Sequence, residues 1–245
     1  MNSADPAPVA MIFAAGRGER MRPLTDTQPK PLLEVGGKPL IVWQIEALAR
    51  AGFTRQIINH AWLGEQFEKY LGDGTRYGVT LQYSAEGQAL ETAGGIVQAL
   101  PLIAPDGVDT WFAAVSADIH TDYDYRQLMP RIHALRAGAS ALAMHLVLVP
   151  NPAFHPRGDF DLVHDRVHAT DSALAEAAER LTFGNIGLYH TRLFRGIVPG
   201  TRLPLGPLIQ QAARAGQVSG ERYDGGWDNV GTPAQLRALD SRLKR

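Results

Sequence analysis

The chain contains no cysteine among its 245 residues. A disulfide framework and thiolate metal ligands are therefore excluded, and the absence suits a reducing compartment, so we expect a cytoplasmic protein. An excess of one charge is also missing, because 24 lysines and arginines face 25 aspartates and glutamates and leave a net charge of -1. With no global charge to attract nucleic acid or an anionic membrane, we expect neither as a partner. Any phosphate ligand must be held locally.

Long apolar runs are absent as well. Residues 140–149 form one of the longest apolar stretches, well short of the ~20 residues that span a bilayer. Residues 1–8 lack the positive flank and the apolar run of a signal peptide, so we expect a flexible tail there. Hydrophobic residues make up 45% of the sequence, which suffices for one large core, and residues 9–245 are predicted to form a single domain. Because no coiled-coil heptads are present, we expect a monomer or a weak homodimer.

Apolar segments of strand length alternate with helical patterns in the first part of the chain. The predicted strands lie at 9–14, 56–60, 79–83, 111–116 and 139–149. Apolar residues recur at helical spacing before Gly52 and before Pro101. This alternation predicts an α/β fold with a Rossmann-like, mostly parallel sheet and helices on both faces.

The pattern loosens after residue 150. It predicts a hairpin around Asp165, a polar helix over 171–179 and a strand over 181–190. A helix over 207–215, a strand in VSGERYD and a final helix over 233–243 follow. We therefore expect a smaller α+β part at about 126–245 beside the mainly parallel part at about 9–125.

A glycine-rich loop follows the first predicted strand. It carries Gly16, Gly18 and three arginines, and Lys30 lies further along. Glycines let backbone N–H groups approach a polyphosphate, and a basic side chain adds charge that the backbone cannot supply. The loop is neither a dinucleotide fingerprint nor a P-loop, because the third glycine and a Gly-Lys-Ser/Thr sequence are missing. Arg20 and Lys30 are the candidates for phosphate binding.

The continuation of this loop makes it specific. The strings RMRPLT and PKPL follow the two glycines, and with them the chain resembles the sugar-phosphate nucleotidyltransferase family. The segments NHAWLGEQ, YSAEGQALETAGGI, VSADIHTDYD, NPAFHPRGDF and WDNVGTP come in the family's order, so the resemblance covers nearly the whole chain. It implies the nucleotide-diphospho-sugar transferase fold, with nucleotide binding in the first part and sugar binding in the second.

The resemblance also implies a reaction and its partners. A nucleoside monophosphate passes from a nucleoside triphosphate to a sugar 1-phosphate, pyrophosphate leaves, and Mg2+ is the cofactor. The order of the motifs favours UTP as donor and N-acetylmuramate 1-phosphate as acceptor. Two alternatives stay open: another sugar 1-phosphate with UTP, dTTP or GTP, and a catalytically weak homologue that binds a nucleotide sugar.

Residues that match the family's motifs are expected to form the site. The expected catalytic residues are Arg20, Lys30 and Asp118. Nucleotide contacts are expected from Ala14, Ala15, Gly16, Gly18, Lys30, Ser84, Glu86 and Gly87. Sugar contacts are expected from Gly95, Arg157, Asp159 and Asn185, with Arg157 or Arg180 replacing the lysine that many relatives place near the sugar phosphate.

Several of these assignments have a structural alternative. Arg17 and Arg22 fit either phosphate contacts or solvated surface charges, and Glu86 fits either a base contact or a loop charge. The small residues at the start of the helix after Leu90 fit an anion site at a helix N-terminus or simple helix packing.

The resemblance places two metal ligands at Asp118 and Asn229. Asp118 ends an apolar strand, where ligands collect in open α/β sheets, and a carboxylate suits Mg2+. The family's Asn-Gly-Asp is replaced here by Ser116-Ala117-Asp118, and Asn229 occupies the position of a second aspartate. An amide oxygen can bind Mg2+ but carries no charge, so we expect weaker metal affinity. Asp228 points the other way if this segment is extended.

Overall fold

The computed structural model describes residues 7–138, 141–171 and 178–244. The predicted tail falls outside these ranges apart from Ala7 and Pro8. The polar helix predicted over 171–179 also lies outside the described residues except at its two ends.

Strands and helices alternate along the described chain. The strands are β1 Val9–Phe13, β2 Glu34–Val35, β3 Lys38–Pro39, β4 Arg55–His60, β5 Thr80–Ala85, β6 Trp111–Ser116, β7 Ile119–Thr121, β8 Met144–Val149, β9 Phe160–Val163, β10 Arg166–His168, β11 Glu179–His190, β12 Val218–Arg222 and β13 Trp227–Asn229. The α-helices are α1 Leu40–Arg50, α2 Glu65–Leu71, α3 Glu91–Ile103, α4 Leu128–Ala137, α5 Leu205–Arg214 and α6 Pro233–Leu243. Single turns of 3-10 helix occupy Glu19–Met21, Leu24–Asp26 and Lys30–Leu32 in the loop after β1.

One sheet runs through both parts of the chain. In the described ranges it has nine strands in the order β5-β4-β1-β6-β11-β8-β12-β10-β9. The strands from β5 to β6 are parallel, whereas β11 pairs antiparallel with β6 and β8. The expected α/β fold is therefore confirmed. Its parallel pairing is concentrated in the first half, because β11 enters the sheet in the opposite direction.

Helices cover both faces of the sheet, as predicted. Apolar side chains of α1, α2 and α4 pack with Ala10 and Ile12 of β1 on one face. Those of α3 and α5 pack with Val9 and Met11 of the same strand on the other face. Since neighbouring residues of a strand point to opposite faces, a strand buried on both sides is apolar throughout. Among the described residues, no helix is long and apolar enough to span a membrane.

Helix α3 does not end at Pro101. The helix continues past Pro101 to Ile103 because Ile103 is only 2% exposed and belongs to the core that α3 shares with the sheet. Helix α5 begins at Leu205, two residues before the predicted start, and Pro207 falls in its first turn, where a missing N–H costs nothing. The hairpin around Asp165 is confirmed, since β9 and β10 pair antiparallel.

The C-terminal helix closes the fold over β13. Helix α6 has Thr232 as its N-cap, and Leu239 packs with Val230, Leu40 and Met21 in a small separate core. Strand β13 pairs antiparallel with β7, so Asn229 lies opposite Ile119. This arrangement brings the C-terminal WDNVGT segment to the end of β6.

The backbone around Leu203, in the second half of the chain, packs against the N-terminal turn of α3. The Leu203 carbonyl accepts hydrogen bonds from the amides of Ala93 and Gly94, both at 3.0 Å, and the Leu203 amide donates to Leu90 O at 2.9 Å. A Cβ at Gly94 would lie 2.3 Å from the Thr201 carbonyl oxygen. Of the two alternatives for these small residues, the structure favours helix packing, because the amides of Ala93 and Gly94 are used within the protein. The small residue allows close packing instead.

A pair of glycine variants tests this packing. Gly94→Ala should lower the free energy of unfolding by about 1–3 kcal/mol, because the new methyl group meets backbone that cannot move aside cheaply. Gly206→Ala, in α5, is the control: no atom lies within 4 Å of its Cβ position, so a gain of up to ~1 kcal/mol is expected. Urea unfolding of both variants measures the difference, and equal stabilities would contradict the close approach at Gly94.

Candidate active site

A cavity lined by basic residues lies at the carboxyl ends of β1 and β6. Its volume is about 700 Å3, and we call it the basic cavity. Four cationic side chains among the described residues line it: Arg17, Arg20, Lys30 and Arg202. Ala14, Ala15, Gly16 and Gly18 of the glycine-rich loop line it as well, together with Asp118 and Gly231. The carboxyl ends of parallel strands are where open α/β sheets bind ligands.

A second cavity of about 650 Å3 adjoins the first. The two share Phe13, Thr92 and Ser116. We call the second the aromatic cavity, because its wall includes Phe13, Phe154, Phe160, Phe183 and Trp227. Its polar side chains include His155, Asp159, Asn185, Gln210 and Asn229. A charged space thus continues directly into an aromatic one with a few polar groups.

Lys30 and Asp118 form an ion pair inside the basic cavity. The Lys30 ammonium group donates to Asp118 Oδ2 at 2.6 Å, and Lys30 is only 8% exposed. The parallel pairing of β1 with β6, with Phe13 opposite Ser116, brings the loops that carry these two residues together. Two residues predicted from separate motifs therefore meet in one contact.

Gly18 covers the stem of Lys30. Its φ of 69° lies in the left-handed region, and an added Cβ would be 3.0 Å from Lys30 Cβ and 3.1 Å from Thr25 Cγ2. The Thr25 hydroxyl donates to Gly18 O at 2.8 Å and fixes the loop there. Gly16 is different, since no atom lies within 4 Å of its Cβ position. The first glycine therefore leaves space open to a ligand, and the second shapes the protein.

The other basic residues of the loop divide into two kinds. Arg20 lies against Gly231 of the C-terminal motif, whose Cβ position is 3.1 Å from an Arg20 guanidinium nitrogen. Arg17 lines the cavity with its guanidinium 4.5 Å from the ring centre of Trp62. Arg22 pairs on the surface with Asp26 at 2.7 Å. Of the two residues that the sequence left open, Arg17 thus belongs to the cavity wall, and Arg22 is a surface charge.

Glu86 is neither a solvated loop charge nor part of either cavity wall. Its carboxylate accepts hydrogen bonds from Asn59 Nδ2 at 2.5 Å and from the Leu90 amide at 2.8 Å. Asn59 Oδ1 in turn accepts from the Ala14 amide at 2.9 Å. Burial raises the pKa of the Glu86 carboxyl, against the two hydrogen bonds. Glu86 thus links the start of the glycine-rich loop to the start of α3.

Gly95 also belongs to this link. A Cβ there would lie 2.5 Å from Glu86 Oε1 and 2.6 Å from Asn59 Nδ2, and Gly95 lines neither cavity. Ser84 is buried in β5 beside Asn59. Gly87 lines a different depression, next to His60 and Gln66. The structure therefore places these three predicted residues behind or beside the cavities.

Two of the residues predicted to contact the sugar line the aromatic cavity. Asp159 accepts hydrogen bonds from the Phe183 amide and pairs with His155 Nε2, each at 2.9 Å. Asn185 has a φ of 57° at a register shift of β11 between Phe183 and Ile186. This irregularity bends the strand at the cavity, as β-bulges near functional sites do.

The two arginines considered for the sugar phosphate lie elsewhere. Arg157 is exposed and lines neither cavity. Arg180 forms two hydrogen bonds with the buried Asp161, at 2.7 and 2.8 Å, and a third with Thr170 O. The expectation that one of them replaces the missing lysine is not supported by this geometry.

Each of the two cavities has an oxygen donor suited to a hard cation. Asp118 lines the basic cavity and Asn229 the aromatic one, and the Val230 amide donates to Asp118 O at 2.9 Å. Asp228 is held by Arg242 of α6 on the other side of β13. No cluster of three His, Cys, Asp or Glu side chains fit for a metal occurs in the ranges 7–138, 141–171 and 178–244.

Arg202 is one of the cavity residues that the sequence analysis missed. It lines the basic cavity from the segment before α5 and pairs with Glu91 at 2.7 Å. Nothing in GTRLPLGP marks it as special, since the segment reaches the cavity only because Leu203 docks on α3. Gln210 was missed for the same reason. Its Nε2 donates to Asp159 O at 3.3 Å, and its buried Oε1 has no hydrogen-bond partner among the described residues.

Comparisons with known proteins show the family of the chain. The family model for nucleotidyl transferases matches residues 9–152. An N-acetylmuramate alpha-1-phosphate uridylyltransferase of Neisseria meningitidis is 47% identical over 229 residues, which cover 93% of this chain and 95% of the relative. The chain belongs to the nucleotidyl transferase family. A mannose-1-phosphate guanyltransferase of Hypocrea jecorina is 38% identical over 120 residues, 49% of this chain and 32% of that protein.

Solved structures confirm the fold. A Bacillus anthracis protein named as a glucose-1-phosphate thymidylyltransferase superposes with a TM-score of 0.79 at 18% identity, covering 97% of this chain and 96% of its own. HddC from Yersinia pseudotuberculosis gives a TM-score of 0.74 at 15% identity, covering 97% and 100%. At such identities the likeness establishes the nucleotide-diphospho-sugar transferase fold alone.

The two loop glycines should respond differently to a methyl group. Gly18→Ala should lower the free energy of unfolding by about 1–2 kcal/mol, because φ is positive there and Lys30 is in contact. Gly16→Ala should leave stability within about 0.5 kcal/mol of the wild type but weaken nucleotide binding, since its methyl group would occupy the open space. Urea unfolding and calorimetric titration with UTP measure the two effects. A Gly16→Ala protein that binds UTP normally would argue against a ligand at that position.

Proposed function

We propose that this protein transfers uridine monophosphate from UTP to N-acetylmuramate α-1-phosphate and releases pyrophosphate. The observation that carries the proposal is the Lys30–Asp118 pair inside a basic cavity that shares part of its wall with an aromatic one. The acceptor and the donor are taken from the Neisseria meningitidis relative, which matches along nearly the full length of both chains. The nucleotide then binds mainly to about 9–125 and the sugar mainly to about 126–245, in a single cytoplasmic domain that is a monomer or a weak homodimer.

The triphosphate occupies the basic cavity in this proposal. Its phosphates lie along Ala15, Gly16 and Gly18, whose small side chains leave the backbone accessible. The side chains of Arg20 and Lys30 supply positive charge beside them. The uracil ring lies next to Gly16 and the segment Ser84 to Gly87. Glu86 holds that segment through its bonds to Asn59 and Leu90 and does not touch the base.

The acceptor occupies the aromatic cavity with its phosphate toward Lys30. Arg202, which lines the basic cavity, is the cation that binds this phosphate. Neither Arg157 nor Arg180 can do so from its position. Asp159 and Asn185 contact the sugar. N-acetylmuramate carries a carboxylate besides its phosphate. His155 is the side chain in the described wall of this cavity that can carry a positive charge toward it.

The chemistry is an in-line displacement. A phosphate oxygen of the acceptor attacks the α-phosphorus of UTP, a new P–O bond forms, and the bond to the leaving pyrophosphate breaks. No general base is needed because the attacking oxygen is already anionic at neutral pH. The protein's task is to hold two polyanions together and to stabilise the charge that develops, which Arg20 and Lys30 do from fixed positions.

Asp118 and Asn229 fit a bound Mg2+. Their carboxylate and amide oxygens are of the kind this cation prefers, and the pairing of β7 with β13 keeps them adjacent. When bound, the ion supplies charge neutralisation between the phosphates. Lys30 already neutralises Asp118, and Asn229 has no charge, so the protein contributes little net negative charge to the metal.

A pyrophosphate-release assay tests the reaction. UTP, dTTP, GTP and CTP are each paired with the 1-phosphates of N-acetylmuramate, N-acetylglucosamine and glucose, with and without Mg2+. Fast, Mg2+-dependent release is expected with UTP and the muramate phosphate. Lys30→Met should slow release by at least about 100-fold, because a fixed charge at the developing negative charge is lost. Lys69→Met, on the exposed surface of α2, is the control and should have no effect. Saturable binding of UDP-sugars without release from any pair would support the nucleotide-sugar-binding alternative.

Metal affinity tests the role of Asn229. Asn229→Asp should bind Mn2+, used as a paramagnetic probe, about tenfold more tightly than the wild type in the absence of nucleotide, because ligand charge governs affinity for hard cations. Asn185→Asp adds the same charge to the aromatic cavity and is the control, with a much smaller expected change. If both variants bind Mn2+ like the wild type, Asn229 is not a metal ligand.

A further inference from the structure

Glu91 stands out in the cavity wall because of its backbone. It is the first residue of α3 and has a φ of 63°, in the left-handed region. A residue with a side chain adopts this conformation at a cost that glycine avoids. Strain of this kind persists only where surrounding structure holds it, and it concentrates at functional sites. Glycine would fit this backbone better, so the presence of a carboxylate side chain at position 91 needs an explanation.

The carboxylate of Glu91 has one partner in the same cavity wall. It accepts a hydrogen bond from Arg202 Nη2 at 2.7 Å, and both residues line the basic cavity. The side chains are 43% and 74% exposed, so the pair adds little to stability by itself. An exposed arginine also has many rotamers to lose before it can bind an anion. The pair restricts those rotamers in advance.

The backbone around both residues is already fixed. Leu203 next to Arg202 accepts two amide hydrogen bonds from α3 and donates one to Leu90, next to Glu91. The Thr201 carbonyl lies against Gly94. The Glu91–Arg202 ion pair therefore adds a side-chain contact to an interface that backbone hydrogen bonds already hold together. The ion pair orients the Arg202 guanidinium, because the backbone of Arg202 is already held in place.

We propose that Glu91 is a positioning residue, which holds Arg202 over the basic cavity so that its guanidinium meets the phosphate of the acceptor sugar. The inference rests on the proposed function, since it takes a sugar 1-phosphate as the ligand. Glu91 itself does not touch the reacting atoms. A planar guanidinium binds phosphate through two parallel hydrogen bonds, and this geometry depends strongly on orientation.

Two substitutions separate the carboxylate from the strained backbone. Glu91→Ala and Glu91→Gly both remove the partner of Arg202, so both should raise the KM for the sugar 1-phosphate by about five- to tenfold, with less than a twofold change in kcat and in the KM for UTP. The glycine variant relieves the left-handed strain and should unfold at a higher urea concentration than the alanine variant. Glu65→Ala, at the exposed first position of α2, is the control and should leave the kinetics unchanged.

A double variant shows whether Glu91 acts through Arg202. In an Arg202→Ala background, Glu91→Ala should cause no further rise in the KM for the sugar 1-phosphate. A full additional loss in the double variant, or a lower KM in Glu91→Ala alone, would overturn the inference. The second result would mean that Glu91 competes with the phosphate for Arg202.

Binding measurements test the role of Glu91 independently of whether the protein catalyses the proposed transfer. Calorimetric titration with the sugar 1-phosphate, in the presence of a non-hydrolysable UTP analogue, reports the same contact without turnover. A wild-type chain that binds the acceptor but releases no pyrophosphate would disprove the proposed transfer and leave the comparison of Glu91 variants valid. A wild-type chain that binds no sugar 1-phosphate would overturn the inference as well.

Discussion

The contact between Lys30 and Asp118 ties together three separate parts of the chain. Lys30 comes from the loop after β1, Asp118 follows β6, and Val230 after β13 bonds to the Asp118 carbonyl. Neither charge could be held in this partly buried place alone, because an uncompensated ion away from water is costly. Together they compensate each other. Gly18 leaves room for the lysine stem, and the parallel register of β1 and β6 sets the distance.

This pairing also explains how so much positive charge can line one cavity. Of the cations described there, Lys30 is balanced by Asp118 and Arg202 by Glu91, while Arg17 lies over the Trp62 ring. The two carboxylate partners offset part of this positive charge. A polyanion that enters meets groups whose positions are already set, so little reorganisation opposes binding.

Local sequence signals predicted much of this protein, and the failures have one physical cause. Strand and helix periodicity located the sheet, and the glycine-rich loop and Asp118 were found because each follows a strand. Lys30 was found because the PKPL string matches the family's motif. Arg202 reaches the cavity only through backbone bonds between Leu203 and α3, and no local pattern encodes such a contact. The family resemblance assigned Glu86 to the base, and a solvated loop charge was the alternative. In the structure Glu86 is half-buried, and Asn59, 27 positions earlier in the chain, donates a hydrogen bond to it.

Positive φ values also occur in the walls of the two cavities. Among the described residues, Leu63, Glu91, His164 and Asn185 have side chains and a positive φ. Glu91 lines the basic cavity and Asn185 the aromatic one, whereas His164 belongs to the tight turn between β9 and β10, where such values are ordinary. Asparagine adopts the left-handed region readily, so the cost of this conformation falls mainly on Glu91. Glycine at position 91 would remove that cost, which indicates that the Glu91 side chain is what the position requires.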